Sequence, residues 1–266
     1  MIRPLTDDDF DFVYAAFLET FSDYIVRMNP TREQFAEMLR RRGYVAQASA
    51  GAFQGESLVA FTLNCIEGAR GYDSGTGVVP SFRRRGLGRE VMDRSSSLLR
   101  AHGCKRYVLE VLEGNSAAAA LYSTSGFIET RRLQCWSFES PDCTVDVTLS
   151  SPLLDLEVRQ TWWTVQPSWQ NSIASIRRAH DRSIALGNDE GYAVVFPSNG
   201  DLPQLAVRPQ ARRQGVGTRL LHAAAAVSGK PLRIMNVDDR DNGIARFLEH
   251  TGAVRTLRQI EMEREL

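Results

Sequence analysis

The sequence lacks the patterns that mark membrane spans, disulfide frameworks and metal sites. No apolar run is long enough to cross a bilayer, and residues 1–7 contain no apolar signal core. The four cysteines show no C-x-x-C spacing, and the four histidines are scattered rather than clustered. We therefore expect reduced thiols, no metal ion and a cytoplasmic location.

Charge of one sign and the common nucleotide motifs are lacking as well. The chain carries 32 Lys and Arg residues against 32 Asp and Glu residues, which gives a net charge of zero. Without a net field, binding to nucleic acid or to an anionic membrane is not expected. The G-x-S-x-G, G-x-x-x-x-G-K-[ST] and G-x-G-x-x-G motifs are also absent. With 266 residues, 43% of them hydrophobic, the chain can form one large globular domain or two ordinary ones.

What the chain does contain is a strand, a basic glycine loop and a helix, in that order, twice. Residues 78–89 read VVPSFRRRGLGR, and residues 207–218 read VRPQARRQGVGT. A helix start with free backbone N–H groups attracts anions, and glycines without a Cβ let a large ligand approach the backbone. Gly215 stands 129 positions after Gly86, which is the length of one compact domain. The chain is therefore predicted to contain two tandem domains that arose by duplication.

Both loops resemble the Q/R-x-x-G-x-G/A acyl-CoA loop of the GCN5-related N-acetyltransferases (the GNAT family). The motif residues are Arg83, Gly86 and Gly88 in the first copy and Arg212, Gly215 and Gly217 in the second. Residues 115–127, NSAAAALYSTSGF, also resemble that family's N-x-x-A-x-x-L-Y-x-x-x-G-F segment. Residues 241–253 occupy the same place in the second copy, but Leu248 replaces the tyrosine.

The resemblance implies an α/β (α+β) fold with two tandem GNAT-like domains. Each would have a mixed, mostly antiparallel central sheet flanked by helices. Residues 1–140 would form the catalytic domain, residues 141–160 a linker with an edge strand, and residues 161–266 a shortened, non-catalytic domain. The expected reaction is the transfer of an acetyl group from acetyl-CoA to a primary amine by direct attack.

The local patterns predict most elements of the first domain. Thr6 and Thr31 are expected to cap helices that run to about residue 21 and to Gly43. A hairpin at 44–53 and 57–67, strands at 72–79 and 106–112, and a return strand at 127–138 should follow. In the second domain, strands are expected at 193–195 and 202–207. The stretch before its loop has room for about one helix rather than two helices and a hairpin.

The donor site is assigned through the resemblance. Gly75 and Gly77 indicate a bulge in the strand before the first loop, and in the family this bulge makes the gap that holds the pantetheine arm. A backbone N–H near Val78 or Val79 could polarise the acetyl carbonyl. The expected donor contacts are Val78, Val79, Arg84, Arg85, Gly86, Leu87, Gly88, Arg89 and Asn115. A possible second cofactor site has Val207, Arg213, Gln214, Gly215, Val216, Gly217 and Thr218.

Proton transfer would fall to three candidate side chains. The resemblance makes Tyr122 the general acid that protonates the departing CoA thiolate, and the alternative is a core tyrosine with a satisfied hydroxyl. Glu110 lies in an apolar strand, where burial would raise its pKa and make it a better base near neutral pH. Asp73 is the rival base. Either acid could instead be structural, and a water chain could serve in their place.

For the acceptor site and for the role of the second domain, the sequence allows several interpretations. By resemblance, Asp23, Tyr24 and Met28 are candidate acceptor contacts, although a surface loop pinned by Tyr24 and Met28 explains them equally well. Leu248 cannot donate a proton, so the second domain is expected to bind CoA without catalysis, to be a structural partner, or to use another acid. The alternative for the whole chain is a non-catalytic acyl-CoA-binding, sensing or protein-interaction module. Three tryptophans in the second half are expected to serve packing rather than binding: Trp162, Trp163 and Trp169.

Overall fold

The computed structural model describes residues 1–26, 28–140 and 155–266, which form two compact units. One unit is Met1–Thr130 together with Glu261–Leu266, and the other is Arg131–Ile260. Residues 141–154, with the predicted edge strand around Val145, Val147 and Leu149, lie outside the described residues. The linker at 141–160 therefore stays a prediction. Over the described residues, no helix combines the length and the apolar character needed to cross a bilayer.

The first unit is a five-stranded sheet with helices on both faces, and the end of the chain adds a further strand. Its elements are β1 (Ile2–Pro4), α1 (Phe10–Thr20), α2 (Arg32–Arg42), β2 (Ala50–Gln54), β3 (Ser57–Glu67), β4 (Arg70–Val78), α3 (Leu87–Ala101), β5 (Arg106–Leu112) and α4 (Ser116–Thr124). The strand order is β1-β2-β3-β4-β5. The pairs are antiparallel except β4–β5, which is parallel. Because side chains alternate along β3, Phe61 packs with α1 and α2 while Ala60 packs with α3.

The helix starts follow the predicted caps. The Thr31 side chain accepts from the Gln34 N–H, and Gly43 ends α2 in the left-handed conformation (φ 83°). Thr6 and Asp9 form a capping box around a short 3-10 turn, and α1 follows at Phe10. The predicted hairpin strand at 44–53 is too long, because residues Ala46–Ala48 form a 3-10 turn and β2 begins at Ala50.

The predicted bulge lies in β4 and opens the sheet. Thr62 pairs with Thr76 and Asn64 pairs with Asp73, so β4 has one extra residue between these two pairs. The parallel pairing of β4 with β5 covers Arg70 to Asp73 and ends at Leu109. Beyond that point the two strands diverge, which leaves a gap next to the glycine loop.

The chain end completes the first unit, which the sequence patterns did not predict. The last strand, β11 (Val254–Glu265), ends in this unit, and the Leu266 N–H donates to the Lys105 carbonyl (2.9 Å). Arg264 donates to the Ser125 carbonyl and lies 5.4 Å from the centre of the Phe127 ring. Residues far apart in sequence therefore hold the end of α4.

The second unit repeats the arrangement with shorter helices before its loop. It contains most of β6 (Ile128–Phe138), then α5 (Leu156–Arg159), α6 (Ile173–Arg178), β7 (Ile184–Gly187), β8 (Gly191–Phe196), β9 (Asp201–Val207), α7 (Val216–Ser228), β10 (Leu232–Asp238), α8 (Asn242–His250) and most of β11. The strand order is β11-β6-β10-β9-β8-β7, and β9–β10 is the parallel counterpart of β4–β5. The expectation that this unit has no hairpin is wrong, because β7 and β8 pair across the turn Asn188-Asp189-Glu190.

The tryptophans of the second unit are largely packed, in agreement with the interpretation favoured above. Trp169 is buried, and Trp162 and Trp163 pack against the cluster of Ile176 and Tyr192. The Trp163 indole N–H donates to the Tyr192 hydroxyl at 2.7 Å. The apolar rings thus pack inside the unit, and the polar N–H of Trp163 forms a hydrogen bond there.

Candidate active site

The first glycine loop has a backbone that turns its N–H groups toward one point. Arg84 (φ 63°) and Gly86 (φ 83°) both adopt the left-handed conformation, and α3 begins directly after them. Left-handed residues next to a helix start form a concave nest of N–H donors, which binds anions. The positive φ of Arg84 costs on the order of 1 kcal/mol, which the surrounding contacts must offset.

The second loop has nearly the same backbone, with the corresponding angles within about 11° of each other. Val79 and Arg208 have φ/ψ of −52°/134° and −51°/134°, and both precede a 3-10 turn that begins with proline. Arg213 (φ 65°) and Gly215 (φ 76°) match Arg84 and Gly86. The duplicated motif thus specifies a duplicated geometry.

One arginine in each loop holds the loop to its own unit. The Arg83 Nε donates to the Val78 carbonyl (3.2 Å), and its Nη2 donates to the Thr20 carbonyl (2.9 Å). Arg212 makes the same pair of contacts, with the carbonyls of Val207 (3.1 Å) and Trp162 (2.8 Å). These arginines therefore set the loop conformation, a role that the sequence motif alone did not reveal.

The other loop side chains have varied surroundings. Arg85 donates to the Ser81 carbonyl (2.9 Å) and stacks over the Phe82 ring, whereas Arg84 is exposed. Arg89 forms a long ion pair with Asp93 (3.8 Å). Charge near the loop is thus positive, as an anion site requires.

Gly88 lies where α3 approaches α4. A Cβ added to this residue would lie 3.4 Å from Leu121 and 3.5 Å from Val78, which is van der Waals contact, so α3, α4 and β4 already approach closely at this position. Leu87 is the first residue of α3 and is partly buried against the cluster that contains Val91.

The backbone beside the gap offers one donor. The Val79 N–H donates to the Val59 carbonyl of β3 (3.0 Å), so it is occupied. In an antiparallel pair the N–H groups of successive residues point to opposite sides, so the Val78 N–H points away from β3 and toward the gap. Of the two residues predicted as backbone donors, Val78 is therefore the one whose N–H faces the gap.

Tyr122 lies on α4 with its side chain buried beside the gap. Asn115 caps the helix by accepting from the Ala118 N–H (3.2 Å), and its amide donates to the Tyr24 hydroxyl (3.3 Å). Burial, together with the nearby Asp73 and Tyr24, raises the pKa of Tyr122 well above its ordinary value. The phenol is therefore protonated at neutral pH, as it would be at its ordinary pKa, so it holds a proton that it is able to donate.

Asp73 holds the bulge of β4. Its carboxylate accepts from the Gly75 N–H (2.9 Å) and from the Thr76 hydroxyl (2.5 Å). Burial raises the pKa of Asp73 to about 6, and these two hydrogen bonds limit the rise. Thr76 also lies near Tyr122, where its hydroxyl lowers the phenol pKa. The sequence patterns did not identify Thr76. It stands three positions after Asp73, and its hydroxyl donates to that carboxylate across the bulge.

Glu110 lies at the start of the gap but on the other face of the sheet. Leu109 is the last residue of β5 that pairs with β4, so Glu110 is the first one beyond the paired segment. Its carboxylate accepts from the Tyr72 hydroxyl (2.9 Å). Tyr72 in turn lies near Arg42, which donates to Ser74 (2.9 Å to its Oγ). Because side chains alternate, Glu110 and Asp73 point to opposite faces.

The candidate acceptor residues lie on the segment between α1 and α2. Asp23 forms a two-pronged ion pair with Arg83 (2.6 and 2.8 Å), which lowers the pKa of Asp23. Tyr24 packs edge-on against Phe21 with 5.2 Å between ring centres, and Met28 packs half-buried against α1 and α2. Asp23 therefore ties this segment to the glycine loop, and Tyr24 reaches the cap of α4.

The second unit has a cavity of about 1110 Å³ at its glycine loop. All residues of the possible second cofactor site line it except Gln214, whose amide donates to the Gln210 carbonyl (3.1 Å). Asp241 takes the place of Asn115 and caps α8 by accepting from two N–H groups (both 3.1 Å). Leu248, at the tyrosine position, is buried.

Comparison with known proteins agrees with this geometry. The sequence model of the Acetyltransferase (GNAT) family matches residues 10–127. The first unit therefore belongs to the GNAT acetyltransferases. Over 73 residues, 27% of its length, the chain is 41% identical to the mycothiol acetyltransferase of Beutenbergia cavernae, and the match covers 25% of that protein. The chain spans between a quarter and about half of the length of the curated relatives it matches.

Solved structures match the whole chain, including the second unit. A GCN5-related N-acetyltransferase from Sphaerobacter thermophilus superimposes with a TM-score of 0.76 at 14% identity, over 100% of this chain and 95% of the other. A tandem GNAT protein from the clavulanic acid biosynthesis pathway gives 0.70 at 15% identity, over 100% and 98%. The predicted fold, two GNAT-like domains in tandem, is confirmed.

Proposed function

We propose that the first unit is an N-acetyltransferase that moves an acetyl group from acetyl-CoA to a primary amine. The observation that carries the proposal is the position of the buried Tyr122 hydroxyl, close to Asp73 and Thr76 and beside the gap that opens where β4 and β5 separate. The family match of residues 10–127 supports the donor, and the glycine loop supplies a fitting anion site. The acceptor amine is a proposal from the reaction type alone.

The chain would bind the donor mainly through its backbone. The nest at Arg84 and Gly86 and the start of α3 suit the phosphates, since N–H groups and the helix dipole both favour negative charge there. The Val78 N–H suits the acetyl carbonyl oxygen, on which negative charge grows as the amine attacks. The gap between β4 and β5 gives the thioester arm a route between these two points.

Tyr122 would supply the proton that the reaction needs at sulfur. The amine nitrogen forms a bond to the carbonyl carbon, and the carbon–sulfur bond breaks with its electron pair going to sulfur. Tyr122 then protonates the thiolate, which yields CoA and an amide. The nitrogen must lose one proton during the same sequence, so a base on the acceptor side is needed.

Glu110 fits the base better than Asp73. Both oxygens of Asp73 accept from its own bulge, and Asp73 shares a face with the acid. Glu110 lies on the opposite face, at the first position beyond the paired segment, and Tyr72 orients its carboxylate. An amine that enters from the face opposite Tyr122 would meet Glu110, directly or through one water.

Tyr122→Phe tests the acid. We expect kcat to fall by about 100-fold or more while acetyl-CoA binding is retained, measured as CoA release over a panel of primary amines. Tyr107→Phe is a matched control, because Tyr107 is a neighbouring buried tyrosine whose hydroxyl donates to Asn64 (2.6 Å). Its turnover should change little, although its stability should fall. Equal kcat in wild type and Tyr122→Phe would remove Tyr122 from the mechanism.

A further inference from the structure

The bulge of β4 puts two polar side chains on the face of the sheet that Tyr122 covers. Asp73 and Thr76 are three positions apart, and in a regular strand residues at that spacing point to opposite faces. The extra residue of the bulge lies between them and restores a common face, so the Thr76 hydroxyl donates to the Asp73 carboxylate (2.5 Å). The Tyr122 hydroxyl lies next to that of Thr76. Three hydrogen-bonding groups therefore lead from Asp73 to the gap.

The second unit forms the same kind of bulge without these polar groups. Its strand β9 has one extra residue opposite residues 194–196 of β8. Asp73 and Thr76 stand five and two positions before Val78, and Tyr122 stands seven after the cap of α4. Counted in the same way from Val207 and from the cap of α8, the second unit has three leucines: Leu202, Leu205 and Leu248. A carboxylate and a hydroxyl are therefore not needed to form the bulge, and the three groups are present or replaced together.

Thr76 has a single proton to share between its two neighbours, because a threonine hydroxyl donates one hydrogen bond and accepts up to two. While Asp73 is ionised, Thr76 donates to the carboxylate, so toward Tyr122 its oxygen is able only to accept. In that state the phenol proton points to Thr76 and away from the gap. When Asp73 carries a proton, the direction reverses. The carboxyl donates to Thr76, Thr76 donates to the phenol oxygen, and the phenol proton is free to face the gap.

We propose that Asp73 and Thr76 form a proton relay behind Tyr122. As Tyr122 gives its proton to the CoA sulfur, the hydroxyl proton of Thr76 passes to the phenol oxygen and the carboxyl proton of Asp73 passes to Thr76. Tyr122 and Thr76 are thereby regenerated, Asp73 is left as a carboxylate, and solvent returns its proton after CoA leaves. The relay rests on the function proposed for the first unit. Asp73 and Thr76 act through Tyr122, so they are positioning residues.

Burial favours the relay over an isolated phenol. Tyr122 is 7% exposed and Asp73 is 5% exposed, so a phenolate beside the carboxylate would place a second negative charge in a buried site. The relay avoids that state, because the phenol oxygen regains a proton as it loses one. Burial also raises the pKa of Asp73 to about 6, so half of the molecules hold the carboxyl proton at about pH 6.

The groups that face Asp73 come from three other elements. Its partner strand β3 contributes Asn64, which carries no charge. Strand β5 contributes Tyr107, whose hydroxyl donates to Asn64 (2.6 Å), and Arg264 of β11 lies near Tyr107. Helix α4 contributes Tyr122. Because the Tyr107 proton is already engaged by Asn64, the relay leads to Tyr122.

Thr76→Val tests the relay, because it removes the hydroxyl and keeps a side chain of similar size. In the wild type, kcat should fall as the pH rises from about 6 to about 8, since Asp73 loses its proton over that range. Thr76→Val should lack this alkaline limb. Its kcat should be about tenfold below that of the wild type at pH 6 and closer to it at pH 8, measured as CoA release at saturating substrate. Thr76→Ser keeps the hydroxyl and should restore the wild-type profile.

Thr62→Val is the matched control. Thr62 pairs with Thr76 across the two strands, and its hydroxyl is hydrogen-bonded to Ser95 instead. This variant should lower stability and keep the wild-type pH profile of kcat. A second comparison uses Tyr122→Phe, in which added Thr76→Val should cause no further loss. A residue that acts only through Tyr122 has nothing left to act on in that background.

The outcomes separate the relay from the proposed function. An unchanged alkaline limb in Thr76→Val would overturn the relay and leave the acetyltransferase proposal standing. A loss in the Tyr122→Phe background as large as that of Thr76→Val alone would overturn it as well, because the loss would then be structural. No CoA release by the wild type with any primary amine of the panel would overturn both proposals.

Discussion

The two units share a glycine loop and differ around the gap beside it. In both, proline, arginine and glycine at fixed spacing give the same backbone, and one arginine ties that loop to two carbonyls. In the first unit the gap is surrounded by Tyr122, Asp73 and Glu110, and in the second by leucines and amides. The comparison teaches that the loop backbone and the side chains around the gap vary independently. The backbone that suits an anion is the same in both units, whereas the ionisable side chains proposed for proton transfer are present in the first unit and replaced in the second.

The strongest test of this comparison gives the first unit the residue of the second. Glu110→Asn copies Asn236, because Asn236 precedes the cap Asp241 by five positions, as Glu110 precedes Asn115. We expect kcat/KM at neutral pH to fall by about 100-fold or more because the proposed base is lost. The acid limb of the pH–rate profile should disappear in the same variant. Acetyl-CoA affinity, measured by calorimetry, should stay near that of the wild type.

A complementary variant gives the second unit the tyrosine that it lacks. Leu248→Tyr restores that side chain, but Asn171 still links β9 to β10 there, which closes the acceptor side. CoA release should therefore not increase when the variant is added to a Tyr122→Phe background. Recovered turnover in that double variant would show that the closure is not effective.

Asp73 offers the next largest effect, in the pH dependence of stability. Its folded-state pKa of about 6 lies above the ordinary value of 3.8 because of burial, so the folded chain holds this proton more tightly. Its contribution to the free energy of unfolding is greatest below pH 4, falls as the pH rises from about 4 to 6, and is constant above that. The total fall is about 3 kcal/mol. Asp73→Asn should remove it, as denaturant unfolding at pH 4 and pH 7 would measure.

The same variant separates the two candidate bases. Asn at position 73 is able to accept from Gly75 and to donate to the Thr76 oxygen, so the bulge should persist. Turnover by Asp73→Asn should then fall less than turnover by Glu110→Asn. A larger fall in Asp73→Asn would return Asp73 to the role of base. In the second unit, Leu202→Asp should introduce a buried acid and lower stability at neutral pH.

The chain end provides a smaller effect that is confined to the first unit. Deleting Glu261–Leu266 removes the Arg264 contact with Ser125 and the Leu266 bond to Lys105, at an expected cost of about 2 kcal/mol. Unfolding followed by circular dichroism should shift, whereas the tryptophan signal of the second unit should shift less. Equal shifts of both signals would mean that the two units unfold together.

Sequence patterns predicted the loops, the caps and the bulge because each depends on a few local residues. Gly86 and Gly215 have a positive φ, Thr31 caps α2, and Gly75 lies in the bulge. The patterns did not predict contacts between distant segments. Arg83 contacts the carbonyls of both Val78 and Thr20, and Asn171 links β9 to β10. These contacts depend on tertiary packing that no local spacing encodes.

The same limit explains the errors in assigning elements and roles. The hairpin of β7 and β8 was missed because the short β7 has a weak alternation pattern and lies close to a helix. Val78 and Val79 looked equivalent as backbone donors until the pairing with Val59 fixed which N–H is occupied. Glu110 and Asp73 could not be ranked, since only the register of β4 and β5 puts them on opposite faces.

The smallest predicted effect concerns Asp23, where the two units differ in how their loop arginine is held. Arg83 adds an exposed ion pair with Asp23 to its two carbonyl contacts, so Asp23→Asn should leave the fold intact. Because Asp23 orders the segment that carries Tyr24, we expect KM for the amine to rise about two- to fivefold, with kcat unchanged. High salt should reduce the difference between wild type and variant.

If Asp23 instead contacts the amine, the loss of amine affinity in Asp23→Asn should be larger for diamines than for monoamines of similar size. A loss that is the same for both would favour the positioning role, because a tie between the segment and the loop does not depend on the charge of the acceptor.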